Sequence, residues 1–283
     1  MSVPAESDVN TTASRAAVSD VLSKVPAVTL GFWLIKILAT TLGETGGDTV
    51  TMSWLGETTP AASAVAWHPG YLIGTGIFGL LLVAFIWLQI WARKFNRWLY
   101  WATIVASTTA GTTLADFADR SLGIGYPGGS LLLLGCVLLS LFAWRRTLGS
   151  VDVNTVSGPR QEIFYWITIT FSQTLGTALG DWIADEGPGY AGGALVFGGA
   201  LVVVALAYFM TKVSRVLLFW AAFILTRPLG ATVGDFLDKP LDHGGLALSR
   251  PIASLALAAV MIALILVLPQ RPGVHPRASQ QAA

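Results

Sequence analysis

Charge is what this sequence has least of. Of its 283 residues only 12% are Asp, Glu, Lys or Arg, roughly half the share usual in soluble proteins. The net charge is +1, so nothing in the overall balance points to nucleic acid. A single cysteine, Cys136, excludes an intrachain disulfide. Inside "LLLLGCVLLSLF" it reads as a small buried hydrophobe rather than a reactive thiol. Three histidines are scattered, at His68, His243 and His275, and no CxxC, HExxH or Walker-type glycine loop occurs. The usual signatures of metal and nucleotide enzymes are therefore missing, and neither an enzyme nor a cofactor is expected. The opening stretch "MSVPAESDVNTTASRAAVSDVLSKV" lacks the basic start and apolar core of a signal peptide. Residues 1–25 and 271–283 are expected to be disordered cytoplasmic tails around one transmembrane domain, 26–270.

What the sequence has in excess is apolar length: 54% of residues are hydrophobic and 11 are tryptophan. A membrane helix needs about 20 mostly apolar residues, and eight segments qualify, near 27–48, 70–92, 98–116, 127–144, 163–182, 190–211, 215–236 and 248–268. Basic residues cluster in alternate connections (Arg93, Lys94 and Arg97; Arg145, Arg146 and Arg160; Lys212 and Arg215) and in the tails (Arg15, Lys24, Arg271, Arg277). The opposite connections hold Glu57, Asp119, Asp185, Glu186, Asp238 and Asp242, with only Arg120, Lys239 and Arg250 as bases. The positive-inside rule then places both termini in the cytoplasm.

Four stretches align without gaps: "WLIKILATTLGETGGD", "WATIVASTTAGTTLAD", "WITITFSQTLGTALGD" and "WAAFILTRPLGATVGD". Each ends on an aspartate (Asp48, Asp116, Asp181, Asp235) and opens on a tryptophan (Trp33, Trp101, Trp166, Trp220). Each carries a glycine near its end (Gly43, Gly111, Gly176, Gly230), and the residue before each aspartate is Gly47, Ala115, Gly180 or Gly234. This is internal repetition, giving units 26–94, 95–146, 160–212 and 213–270. The expected fold is all-α and integral to the membrane. Eight transmembrane helices form four tandem parallel helical hairpins in a pseudo-fourfold bundle.

Side chains four apart share a helix face. Stepping back from each aspartate in fours gives Lys36, Thr40 and Glu44 in repeat 1; Ile104, Thr108 and Thr112 in repeat 2; Ile169, Gln173 and Thr177 in repeat 3; and Phe223, Arg227 and Ala231 in repeat 4. Nearly every strongly polar residue of the odd helices lies on this stripe. Polar groups at membrane depth face the bundle interior or a hydrated cavity, so the odd helices should surround the axis and the even ones face lipid. Arg97 to Asp116 is about 28 Å of helix, which sets the four aspartates as a ring near the outer surface. The repeat glycines allow close helix approach or a break. Arg227-Pro228 suggests a break in helix 7, and "GETGGD" suggests unwinding of helix 1. The tryptophans read as packing or interface residues, and Gly70-xxx-Gly74, Gly192-Gly193 and Gly198-Gly199 as packing surfaces.

Two meanings stay open for the charges. Either Glu44 pairs with Arg227 and the aspartates are hydrated or paired with Arg120 or Lys239, or the carboxylates bind ions. In the second case Glu44, Asp48, Asp116, Asp181 and Asp235 form a cation pathway with an acidic outer vestibule, modulated by Lys36 and Arg227. Oxygen-only ligands suit hard cations such as Mg²⁺, Ca²⁺ or Mn²⁺. The expected function is transport of a small cation, a hard divalent metal or a proton-coupled ion. The alternative is a non-transporting scaffold or anchor in which the stripe is structural. The expected partners are the lipid bilayer and a small cation, with no nucleic acid. The "TTLGETGGD" box followed by degenerate "G…D" boxes resembles a bacterial family of small multi-pass, repeat-containing proteins described as membrane-anchored. The resemblance covers about 26–270; it implies a cytoplasmic (inner) membrane location and this architecture, and no mechanism.

Overall fold

A computed structural model describes residues 22–57, 69–122 and 124–274. Within these lie eight long helices: α1 (Leu30–Asp48), α2 (Pro69–Trp91), α3 (Arg97–Asp116), α4 (Tyr126–Leu148), α5 (Pro159–Asp185), α6 (Gly189–Met210), α7 (Arg215–Asp238) and α8 (Arg250–Val267). Their ends follow local chemistry. Thr29 caps α1 by accepting from the Phe32 amide, and Asn96 caps α3 by accepting from Trp98 and Leu99; such caps satisfy donors that the first turn leaves open. Gly149 ends α4 with φ 78°, a conformation glycine adopts at no steric cost. Five helices, α2, α4, α6, α7 and α8, are long and apolar enough to cross a membrane. The other three, α1, α3 and α5, share the polar stripe with α7.

The odd helices close a ring, with α1 packing on α3, α3 on α5, α5 on α7 and α7 on α1. The repeat glycines explain why they approach so closely. A Cβ at Gly43 would collide with Thr108, at Gly111 with the Gln173 backbone, at Gly176 with Arg227, and at Gly230 with Thr40. Each glycine thus seats one residue of the next repeat's stripe, and the fourth seats the first. The small residue before the aspartate repeats the device one turn on. Gly47 faces Thr112, Gly180 faces Ala231 and Gly234 faces Glu44.

The outer helices do not pack as the expected hairpins. Each even helix lies mainly on the odd helix of the following repeat: α2 on α3, α4 on α5 and α6 on α7, while α8 returns to α1. Two even-to-odd connections are short, 92–96 and 211–214, and short connections favour antiparallel neighbours; the α5–α6 connection, 186–188, is shorter still, yet α6 lies mainly on α7. The α1–α2 connection is long and begins with a π-helical turn, Thr49–Trp54, so α2 is free to reach α3. Gly74 on α2 meets Thr113 of α3, and Gly193 on α6 meets Thr232 of α7. Outward faces are apolar, with Leu80, Leu131, Leu195 and Leu255 all exposed. Cys136 is half-buried on α4 rather than enclosed.

Three further expectations change. Helix α7 continues through Pro228 without a break. Helix α1 holds its α-form through "GETGGD" and only then widens into the π-turn. The tail regions lie mostly outside the described residues, but their inner ends are ordered. Leu22–Pro26 (β1) pairs antiparallel with Pro272–Val274 (β2), and Ser23 Oγ donates to the carbonyls of Val153 and Val156. Lys24 Nζ meets Glu162 at 2.5 Å and the Gln89 carbonyl at 3.1 Å, all buried.

Candidate functional site: a charged core inside the ring

The stripe fills the ring interior. All sixteen of its residues are at most 4% exposed, which turns the expected polar face into a set of stacked layers. The layer one step further from the aspartates is aromatic: Phe32, Tyr100, Tyr165 and Phe219. The Tyr100 and Tyr165 hydroxyls share a hydrogen bond of 2.6 Å, and Phe32 lies 6.3 Å from Phe219 between ring centroids. Trp101, Trp166 and Trp220 are buried around this layer, and Trp144 of α4 packs edge-on against Trp220. The tryptophans are therefore packing residues, and Trp33, half-buried, meets Phe32 edge-on. The β1 segment lies over this end, since Val25, Val153 and Val156 join the same apolar cluster.

Above the aromatic layer sits Lys36. Its ammonium lies 4.3 Å from the centre of the Phe223 ring and 3.5 Å from Gln173 Oε1. A cation over an aromatic face gains attraction from the ring quadrupole, and Lys36 has no carboxylate partner among the ion pairs found in the described residues.

Arg227 occupies the next level and touches all four repeats. Its Nη2 donates to Glu44 Oε2 at 2.9 Å, to Thr112 Oγ1 at 2.6 Å and to Thr177 Oγ1, and reaches the Thr108 carbonyl at 3.5 Å. Nη1 points to the Thr40 carbonyl. Among the described residues, its Nε has no hydrogen-bond acceptor. A planar guanidinium with several donors is suited to such a hub, and the Thr112 and Thr177 hydroxyls supply acceptors for it.

The aspartate level divides in two. Glu44, Asp48 and Asp235 each offer an oxygen within 4.8 Å of the others. Lys239, four residues beyond Asp235, folds back so that its ammonium lies 2.6 Å from Asp48 Oδ2 and 3.0 Å from Asp235 Oδ1. Asp116 and Asp181 are buried too but are not in this cluster. The four aspartates are thus enclosed rather than lining an open vestibule, and two of them share a base that the chain itself supplies. Arg250, the first residue of α8, stands 3.9 Å from Asp48 and 3.7 Å from Asp238. Lys239 was readable as a partner from its spacing to Asp235. Asp238 and Arg250 carried no such signal, because loop charges next to a membrane helix ordinarily face water.

The arrangement defines a class: a repeat-built helical protein, with several helices of membrane-spanning character, that is apolar outside and charged within. The family described as "Repeat of Unknown Function (DUF347)" matches it four times in tandem, over 31–95, 99–150, 164–214 and 218–269. The chain belongs to this family. No curated protein and no solved structure matches it.

Proposed function

We propose that this chain spans the membrane eight times, termini in the cytoplasm, and is a small-cation carrier in an occluded state, its cation site held by an internal base. The observation that carries this is the Lys239 ammonium between Asp48 and Asp235, with Glu44 in the same cluster. Three carboxylate oxygens from two repeats lie within 4.8 Å of one another there, Asp48 and Asp235 on the Lys239 ammonium and Glu44 beside them on Arg227. A hard divalent ion or a proton would compete with Lys239 for the same oxygens. Buried ion pairs are poor sources of stability, since their desolvation offsets much of their attraction. Charges kept inside a membrane bundle therefore favour a working role over a merely structural one. Uptake of Mn²⁺ or protons into proteoliposomes tests the reading. The wild-type protein should move one of them above empty liposomes, and Asp48→Asn should remove that flux. Undiminished flux in Asp48→Asn would sink the site.

A second reading, a non-transporting scaffold, is favoured by one specific feature. The aromatic layer and the β1 segment fill one end of the ring. On that reading stripe substitutions lower stability, and wild-type liposomes show no flux.

A further inference from the structure

A recess of about 520 Å³ opens at the aspartate end of the ring, lined by Ser53, Trp54, Asp238, Pro240, Ser249 and Arg250, among others. Asp238 is buried at its wall, and neither carboxylate oxygen receives a hydrogen bond among the described residues. Its one charged neighbour in the recess, Arg250, approaches no closer than 3.7 Å, and the Arg250 Nε likewise lacks an acceptor. The contrast with Lys239, held at 2.6 Å and 3.0 Å, is large.

Arg250 is also poorly placed by its own helix. It is the first residue of α8, where the helix dipole is positive and disfavours a cation. Its side chain is 22% exposed. A loosely held guanidinium with a way out to solvent lies between the recess and Asp48.

We infer that Asp238 is a second cation site at the wall of the recess, and that Arg250, partly exposed, is its displaceable guard. A small hard cation entering the recess takes the Asp238 oxygens, and Arg250 swings outward. This unscreens Asp48, 3.9 Å from the guanidinium, and so joins the recess to the Asp48 cluster. The purpose assigned to this site rests on the carrier reading, but its occupancy is measurable without flux.

The test is Mn²⁺ titration of detergent-purified protein, followed by the electron paramagnetic resonance of free Mn²⁺ and by quenching of tryptophan fluorescence. Trp54, exposed beside the recess, is removed in a Trp54→Phe control that should lose most of the quench while keeping the bound Mn²⁺. Arg250→Gln should tighten Mn²⁺ binding by about tenfold or more, because a competing charge has gone. Asp238→Asn should abolish the quench. Because Arg250 is partly exposed, its variant keeps the test decisive even if Asp238→Asn fails to fold. Weaker or unchanged binding in Arg250→Gln, or no Mn²⁺ bound by the wild type, overturns the proposal. Mn²⁺ bound in the recess of a protein that moves no cation would instead remove the carrier reading and leave this site standing.

Discussion

At the scale of single residues, Arg227 and the repeat glycines carry the interior. Removing one partner of a buried pair strands the other charge, at a cost of about 3–5 kcal/mol. Glu44→Gln should therefore lower the thermal unfolding temperature sharply, and the apolar double variant Glu44→Met/Arg227→Met should recover much of the loss. If Glu44→Gln unfolds like the wild type, the 2.9 Å pair is not a support of the ring. The glycines give a sterically graded comparison. Gly176→Ala forces a methyl into Arg227 and should cost about 1–3 kcal/mol through overpacking. Gly46→Ala meets nothing within 4 Å, so it should be neutral or stabilising by up to about 1 kcal/mol, as helix glycines usually are when replaced. Equal effects at the two positions would contradict the close approach of α5 and α7. The glycine spacing was visible in the sequence, but what each glycine faces was not. Spacing along one helix reports a face, and only packing reveals that the face belongs to the next repeat.

At the scale of elements, the ring of odd helices was legible because period and polarity agreed at four places in one chain. Which odd helix each even helix covers was not legible. The even helices are apolar nearly all round, so nothing in their own pattern distinguishes α1 from α3 as a neighbour for α2. Packing contacts decide it, with Gly74 of α2 against Thr113 of α3 and Gly193 of α6 against Thr232 of α7. The inner ends of the tails were misread for a related reason. "SKVP" is polar by composition, yet Ser23 and Lys24 find buried acceptors on other elements. The α8–α1 closure has a direct check in a Cys136→Ala background. Thr49 Oγ1 and Ser254 Oγ are 3.3 Å apart, so Thr49→Cys/Ser254→Cys should crosslink on mild oxidation and shift mobility in a denaturing gel. No crosslink under conditions that oxidise other thiol pairs would break the closure.

At the scale of the whole molecule, polarity is inverted relative to a soluble globule, with leucines outside and charges within. Lipid accounts for both halves, because an exposed apolar face needs no other cover there and an interior charge needs a partner. An arginine at a lipid-facing helix centre costs about 2.5–3.5 kcal/mol on insertion scales. Leu195→Arg on α6 should accordingly reduce the membrane-inserted fraction on carbonate extraction, and an unchanged fraction would argue against α6 meeting lipid. The central claim is that Lys239 holds the place of a cation between Asp48 and Asp235. The most direct measurement is equilibrium binding of Mn²⁺ to purified Lys239→Gln against wild type, both in the Asp238→Asn background so that only the Asp48 cluster is read. Binding should tighten once the internal ammonium is gone and be lost when Asp48→Asn is added. Binding that stays absent in Lys239→Gln, with the protein folded, would contradict it.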